Sequence, residues 1–254
     1  MVATEADIER EASRLIAAAR TNGQEARLLG GLAIARHCPS AQRNPVLRRA
    51  YADIDIIFRR STRRTVVDLV ESLGYAGDHR FNALHGGSRL LFSDSARDRQ
   101  VDVFLGTFRM CHTLDLQDRF FPGYDCLPLA DLILTKLQIV ELNEKDAKDA
   151  MTIFLDHELS DREDDNVIDV GRIKHVCCAD WGFYTTVTDN LQKLHLMAAD
   201  SLGVDDSAIV AARIDRLTVE LDRSAKSLKW RFRSRVGRRM AWYELPEEVQ
   251  DALT

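Results

Sequence analysis

Three aspartates stand where their side chains could do chemistry. Asp53 and Asp55 are separated by one residue in YADIDIIF, and Asp102 lies in RQVDVFLG. In an extended strand alternate side chains share a face, so Asp53, Asp55 and Ile57 project one way while Ile54, Ile56 and Phe58 take the other. Two ionised carboxylates about 4 Å apart repel by about 4 kcal/mol at an effective dielectric of about 20. A sheet does not gather such groups for stability, but a divalent cation removes the repulsion. Magnesium takes one or two carboxylates and completes its shell with phosphate oxygens and water, an arrangement suited to in-line transfer of a phosphoryl or nucleotidyl group. Asp102, arriving from a separate strand, has the chemistry to take the proton of an acceptor hydroxyl. Asp53, Asp55 and Asp102 are therefore the expected metal ligands and catalytic carboxylates, with Mg2+ as cofactor.

Gly30 and Gly31 supply the complementary half. Glycines at a strand-to-helix turn let backbone N–H groups approach phosphate without a Cβ in the way, and the following helix directs its positive end at the same point. In the helix that begins at Pro128, Leu129, Leu132, Ile133, Leu137 and Val140 define an apolar face, and Lys136 falls near its centre. An inward ammonium needs a carboxylate, a phosphate or a route to solvent. Asn143 is placed to cap the next helix, and Asp146 suits its positive first turn.

The elements that would position these residues follow from periodicity. Residues 5–20 and 62–73 carry apolar residues at helical spacing. Residues 27–29, 51–58, 88–92 and 101–105 read as strands, the first running into the glycine turn and a short helix. Beyond residue 120 the pattern is helical, over 128–142, 145–159, 187–200 and 206–222. The expected fold is α+β: a mixed-sheet domain over residues 1–120 and a mainly helical domain over 121–254 that ends in a basic segment.

A net charge of -5, with 45% hydrophobic and 30% charged residues, argues for a folded soluble chain without general affinity for nucleic acid. The charge is uneven, however. Residues 223–239 hold eight Lys/Arg and no acid, interleaved with Trp230 and Phe232, a composition that could grip a phosphate backbone or remain a solvated face. No apolar run approaches the roughly 18 residues that span a bilayer, and the acidic start lacks the character of a signal peptide. Five cysteines without a CxxC pair suit free thiols. A cytoplasmic protein without membrane association is expected.

LLGGLAIA, YADIDIIF and RQVDVFLG, in that order, resemble the polymerase-β nucleotidyltransferase superfamily, whose signature is a glycine turn, an Asp-x-Asp strand and a third Asp on a later strand. The chain departs from that signature in having Gly30-Gly31 where many members have Gly-Ser. It also places Asp53 22 positions after Gly31, which implies an inserted loop carrying Arg43, Arg48 and Arg49. LADLILTKLQIVELNEKDAKDAMTIF resembles the second motif of the bacterial AbiEii-type and MenT-type nucleotidyltransferase toxins. The resemblance implies a catalytic Lys136 that contacts the triphosphate, and gives Asp149, more than Asp146, a part in nucleotide binding, holding metal or orienting the lysine. It further implies a nucleoside triphosphate as donor, a tRNA end or other RNA as acceptor, and an antitoxin protein as partner. Two other readings share the glycine turn and the acids: a small-molecule adenylyltransferase, and a noncatalytic binding module of the same fold.

Overall fold

The computed structural model describes residues 4, 6–59, 61–162, 164 and 166–245. They form two compact units. One comprises the residues up to 33, 50–109 and 113–127, and the other comprises 34–49, 110–112 and 128 onward. The expected boundary at 120 thus lies at 127/128, and residues 34–49 belong with the helical unit, an exchange invisible in a linear reading.

Helix α1 (Ile8–Thr21) starts where the Asp7 carboxylate accepts the Arg10 N–H, with Glu9 and Glu11 in its positive first turn. Strand β1 (Ala26–Leu29), helix α2 (Gly30–His37) and the single turn α3 (Ser40–Arg43) follow. Next come β2 (Ile54–Phe58), α4 (Arg63–Ser72), β3 (Ala76–Gly77), α5 (His79–His85), β4 (Arg89–Asp94) and β5 (Arg99–Leu105). A small hairpin, β6 (Thr107–Arg109) and β7 (Thr113–Asp115), precedes α6 (Leu129–Leu137) and α7 (Glu144–Asp156). Strands β8 (Glu158–Ser160) and β9 (Val167–Asp169) then lead into α8 (Val170–Ala179), α9 (Trp181–Ser201), α10 (Val204–Arg223) and α11 (Leu228–Val236). The protein is a mixed α+β fold. Among the described residues no helix is long and apolar enough to cross a membrane.

The first unit is built on a five-stranded sheet of order β1-β2-β5-β4-β3. β2 and β5 are parallel, and the remaining pairs are antiparallel. Ile54, Ile56, Phe58, Val101 and Val103 are at most 2% exposed and form the sheet's apolar side, as their alternation requires. The outer side of β1 is also occupied. The Leu28 N–H donates to the Asp125 carbonyl at 2.7 Å, and the Leu127 N–H donates to the Leu28 carbonyl at 2.9 Å, so residues 125–127 run beside the strand. Strand β2 begins at Ile54 rather than at Tyr51. Its pairing with β1 ends at Leu29 opposite Asp55, where the chain turns at Gly30, and its pairing with β5 ends at Ile54 opposite Val101, so Asp53 has a ladder partner on neither side.

In the second unit α6 ends at Leu137, short of the expected 142. Asn190 Nδ2 donates to the Leu137 and Ile139 carbonyls at 2.8 and 2.7 Å and so satisfies the acceptors a helix end leaves over. Asn143 then caps α7 through the Asp146 N–H. Buried Asp131 on α6 is paired with Arg172 of α8 at 2.7 Å.

His112 gives this unit a pH dependence. Burial pushes its imidazole down to about 4 against the opposing pull of Asp180 and Glu244, and the ring bonds Thr186 Oγ1 at 2.9 Å. With an unfolded pKa of about 6.5, the unfolded chain binds more protons than the fold between pH 6.5 and 4, so stability falls as pH drops through that window, by up to about 3 kcal/mol. Unfolding midpoints measured across that range should decline less steeply in His112→Gln. An unchanged slope would rule His112 out as the source.

Candidate functional site

The site is assembled where β1 ends. Gly30 has φ +69°, in the left-handed region, and a Cβ built on it would lie 1.8 Å from Asp55 Oδ2. The Asp55 carboxylate therefore occupies the space directly over the glycine, and no other residue type fits without moving it. On its other flank β2 pairs with β5 in parallel, with Asp55 opposite Asp102. Register-paired residues project to the same face from strands about 4.8 Å apart. Asp102 is buried at 6% exposure, whereas Asp55 is half-buried. Gly31 is the second residue of α2, whose first N–H groups have no acceptor within the helix.

Of the three sequence-predicted carboxylates, the structure brings Asp55 and Asp102 side by side. Asp53 lies one residue ahead of β2, exposed, and forms no side-chain hydrogen bond or ion pair among the described residues. Among those residues no three His, Cys, Asp or Glu side chains are gathered tightly enough to enclose a metal ion. The hard-oxygen pair at 55 and 102 nevertheless fits magnesium, which needs no more than two protein carboxylates when substrate phosphates supply the rest.

Asp102 is turned to a cation that sequence reasoning did not single out. Arg89 Nε donates to Asp102 Oδ1 at 2.8 Å, and Nη2 donates to Oδ2, with the two side chains 5% and 8% exposed. Arg89 lies on β4 two residues before Leu91, the register partner of Asp102, and so shares its face. Its guanidinium carbon stands 5.4 Å from the ring centroids of both Phe81 and Phe104. A buried arginine heading the apolar run 90–92 was the available signal.

Lys136 and Asp149 belong to the helical unit. Helix α6 is buried on every side, Asp131 and Thr135 included, and Lys136 is its least enclosed residue at 13% side-chain exposure; its Nζ lies 2.7 Å from Asp146 Oδ1 and 3.0 Å from Asp149 Oδ2. Arg49 clamps the other side of Asp149, with Nε 2.9 Å from Oδ1 and Nη2 2.7 Å from Oδ2. Burial works against the charged lysine, but Asp149 and Asp146 outweigh it and hold the ammonium above its usual pKa. Two cations and two anions thus neutralise one another. Arg49, read from sequence as a residue of the inserted loop, is a partner of Asp149. The 100 residues between them kept that pairing out of reach of local patterns.

No protein-family model and no curated protein matches the chain. Among solved structures, it is similar to the crystal structure of ANT(2″)-Ia in complex with adenylyl-2″-tobramycin, with 15% identity over 56% of this chain and 84% of that one and a TM-score of 0.37. It is also similar to the solution structure of the antibiotic-resistance factor ANT(2″)-Ia, with 14% identity over 83% of this chain and 92% of that one and a TM-score of 0.33. Likenesses of this size assign neither a residue nor a substrate.

Proposed function

We propose that the chain is a metal-dependent nucleotidyltransferase that moves a nucleotide from a nucleoside triphosphate to an acceptor hydroxyl. One observation carries the reading: a carboxylate packed on a left-handed glycine and aligned with a second carboxylate on the adjacent parallel strand. Gly30 and Gly31 leave backbone N–H groups open to the phosphates. Asp55 and Asp53, with Asp102, would hold Mg2+, which when bound neutralises phosphate charge and activates the acceptor oxygen. Asp102 takes the proton as that oxygen bonds to the α-phosphorus and the bond to pyrophosphate breaks. The role proposed for Lys136 is to contact the triphosphate, with Asp149 orienting it.

The acceptor we favour is RNA, a tRNA end in particular. Its support is the exposed stripe of α11, where Arg231 and Arg235, followed by Arg239, make no ion pair with any described residue and Arg235 stacks 5.3 Å over Phe232. A toxin held in check by an antitoxin follows from the sequence resemblance alone.

Incubating the protein with each labelled triphosphate, Mg2+ and either total tRNA or tobramycin separates the two acceptor classes. Asp55→Asn should lower transfer by about 1000-fold or more while the protein remains folded. Asp53→Asn should lower transfer without altering stability. A full rate in Asp55→Asn would refute the metal role. Transfer to tobramycin but not to tRNA would replace the RNA reading with the small-molecule one, and binding of triphosphate without any transfer would favour the noncatalytic module.

A further inference from the structure

Arg89 is a charged residue at the carboxylate pair that the proposed chemistry leaves without a part. The geometry points to Arg89 as a built-in counter-ion of the site: it pairs with Asp102, and Asp102 exchanges it for a divalent cation when one binds. The inference rests on the nucleotidyltransferase reading and concerns how that site is charged.

Three observations carry it. The first is that Asp55 and Asp102 are register neighbours, so the sheet sets two carboxylates side by side. Arg89 offsets that repulsion at the more buried of the two, through both oxygens of Asp102. The second is its aromatic support. With Phe81 and Phe104 each 5.4 Å from the guanidinium, the cation retains favourable π-faces when the carboxylate is withdrawn, so releasing Asp102 does not leave it bare. The third concerns position. Arg89 reaches Asp102 from β4, on the side of β5 away from β2, while Asp55 approaches from β2, so the carboxylate lies between a resident cation and the place an incoming one would take. A divalent ion on Asp102 sits beside a guanidinium of like sign, which weakens its binding. Arg89 is in these terms a positioning residue that trades metal affinity for stability of the metal-free fold.

The test uses the full chain and Mn2+ alone as probe, followed by calorimetry and by thermal unfolding. Arg89→Met keeps the bulk and removes the charge. It should bind Mn2+ at least about tenfold more tightly than the parent, lose roughly 10 °C in the unfolding midpoint without added metal through loss of the buried bidentate pair, and recover most of that loss on adding Mn2+. A purely structural ion pair predicts the fall in midpoint but no gain in affinity, and that result would overturn the inference. If Arg89→Met does not fold, the parent protein still decides. Its Arg89 Nε–H resonance, identified by its absence from Arg89→Lys, should shift on Mg2+ titration with the calorimetric midpoint, and a resonance indifferent to saturating Mg2+ would overturn the exchange. Failure of the parent itself to bind Mn2+ defeats the nucleotidyltransferase reading first, which distinguishes the two failures.

Discussion

Gly30→Ala should cost both turnover and stability. The new methyl meets two penalties. The backbone at φ +69° disfavours any Cβ by about 1–2 kcal/mol, and the methyl would come within 1.8 Å of Asp55 Oδ2, so that carboxylate must move. Overpacking of this kind adds about 1–3 kcal/mol, giving a fall in the unfolding midpoint of roughly 5–10 °C. Displacement of Asp55 by an ångström or more should lower transfer by at least about 100-fold. The double variant Gly30→Ala/Asp55→Gly separates the contributions, because it removes the clash and leaves the backbone strain. It should regain part of the lost stability while remaining inactive. A Gly30→Ala protein with parental midpoint and rate would show that the glycine and the carboxylate are not in contact.

The second large effect belongs to the helical unit. Asp149→Ala removes the anion shared by Arg49 and Lys136. Lys136 retains Asp146, but Arg49 loses a bidentate partner at 3% side-chain exposure, and breaking such a pair costs about 3–5 kcal/mol, or roughly 10 °C. Pairing the change with Arg49→Met should restore several degrees, since no cation is then stranded. A midpoint within about 2 °C of the parent in Asp149→Ala would mean the cluster contributes little. Lys136→Met distinguishes structure from chemistry: a fall in stability alone would assign the lysine to the cluster, whereas loss of transfer at an unchanged midpoint would support its proposed triphosphate contact.

What could be read from the sequence was local. The alternation of Ile54, Ile56 and Phe58 against Asp55 identified the strand and its wet face, because period two in a half-buried strand is enforced by the core on one side alone. Gly30-Gly31 marked the turn for an equally local reason. Asp53 was assigned to the same strand because the alternation continues through it, and nothing in YADID reveals that the neighbouring strand has already turned away at Gly30. The pairings of Arg89 with Asp102 and of Arg49 with Asp149 were missed because a long-range ion pair leaves no periodic trace: one partner lies across a strand pair, the other across much of the chain. Short elements such as the β6–β7 hairpin and α5 escaped for a different reason, being too brief for either period to repeat.

The segment 125–127 lies against the outer side of β1. At that border the sheet has its peptide groups engaged within the same chain, and at the opposite border β3 is only two residues long. A foreign strand therefore finds little template at either margin, which protects a sheet carrying two neighbouring anions from edge-to-edge aggregation without relying on charge to repel newcomers.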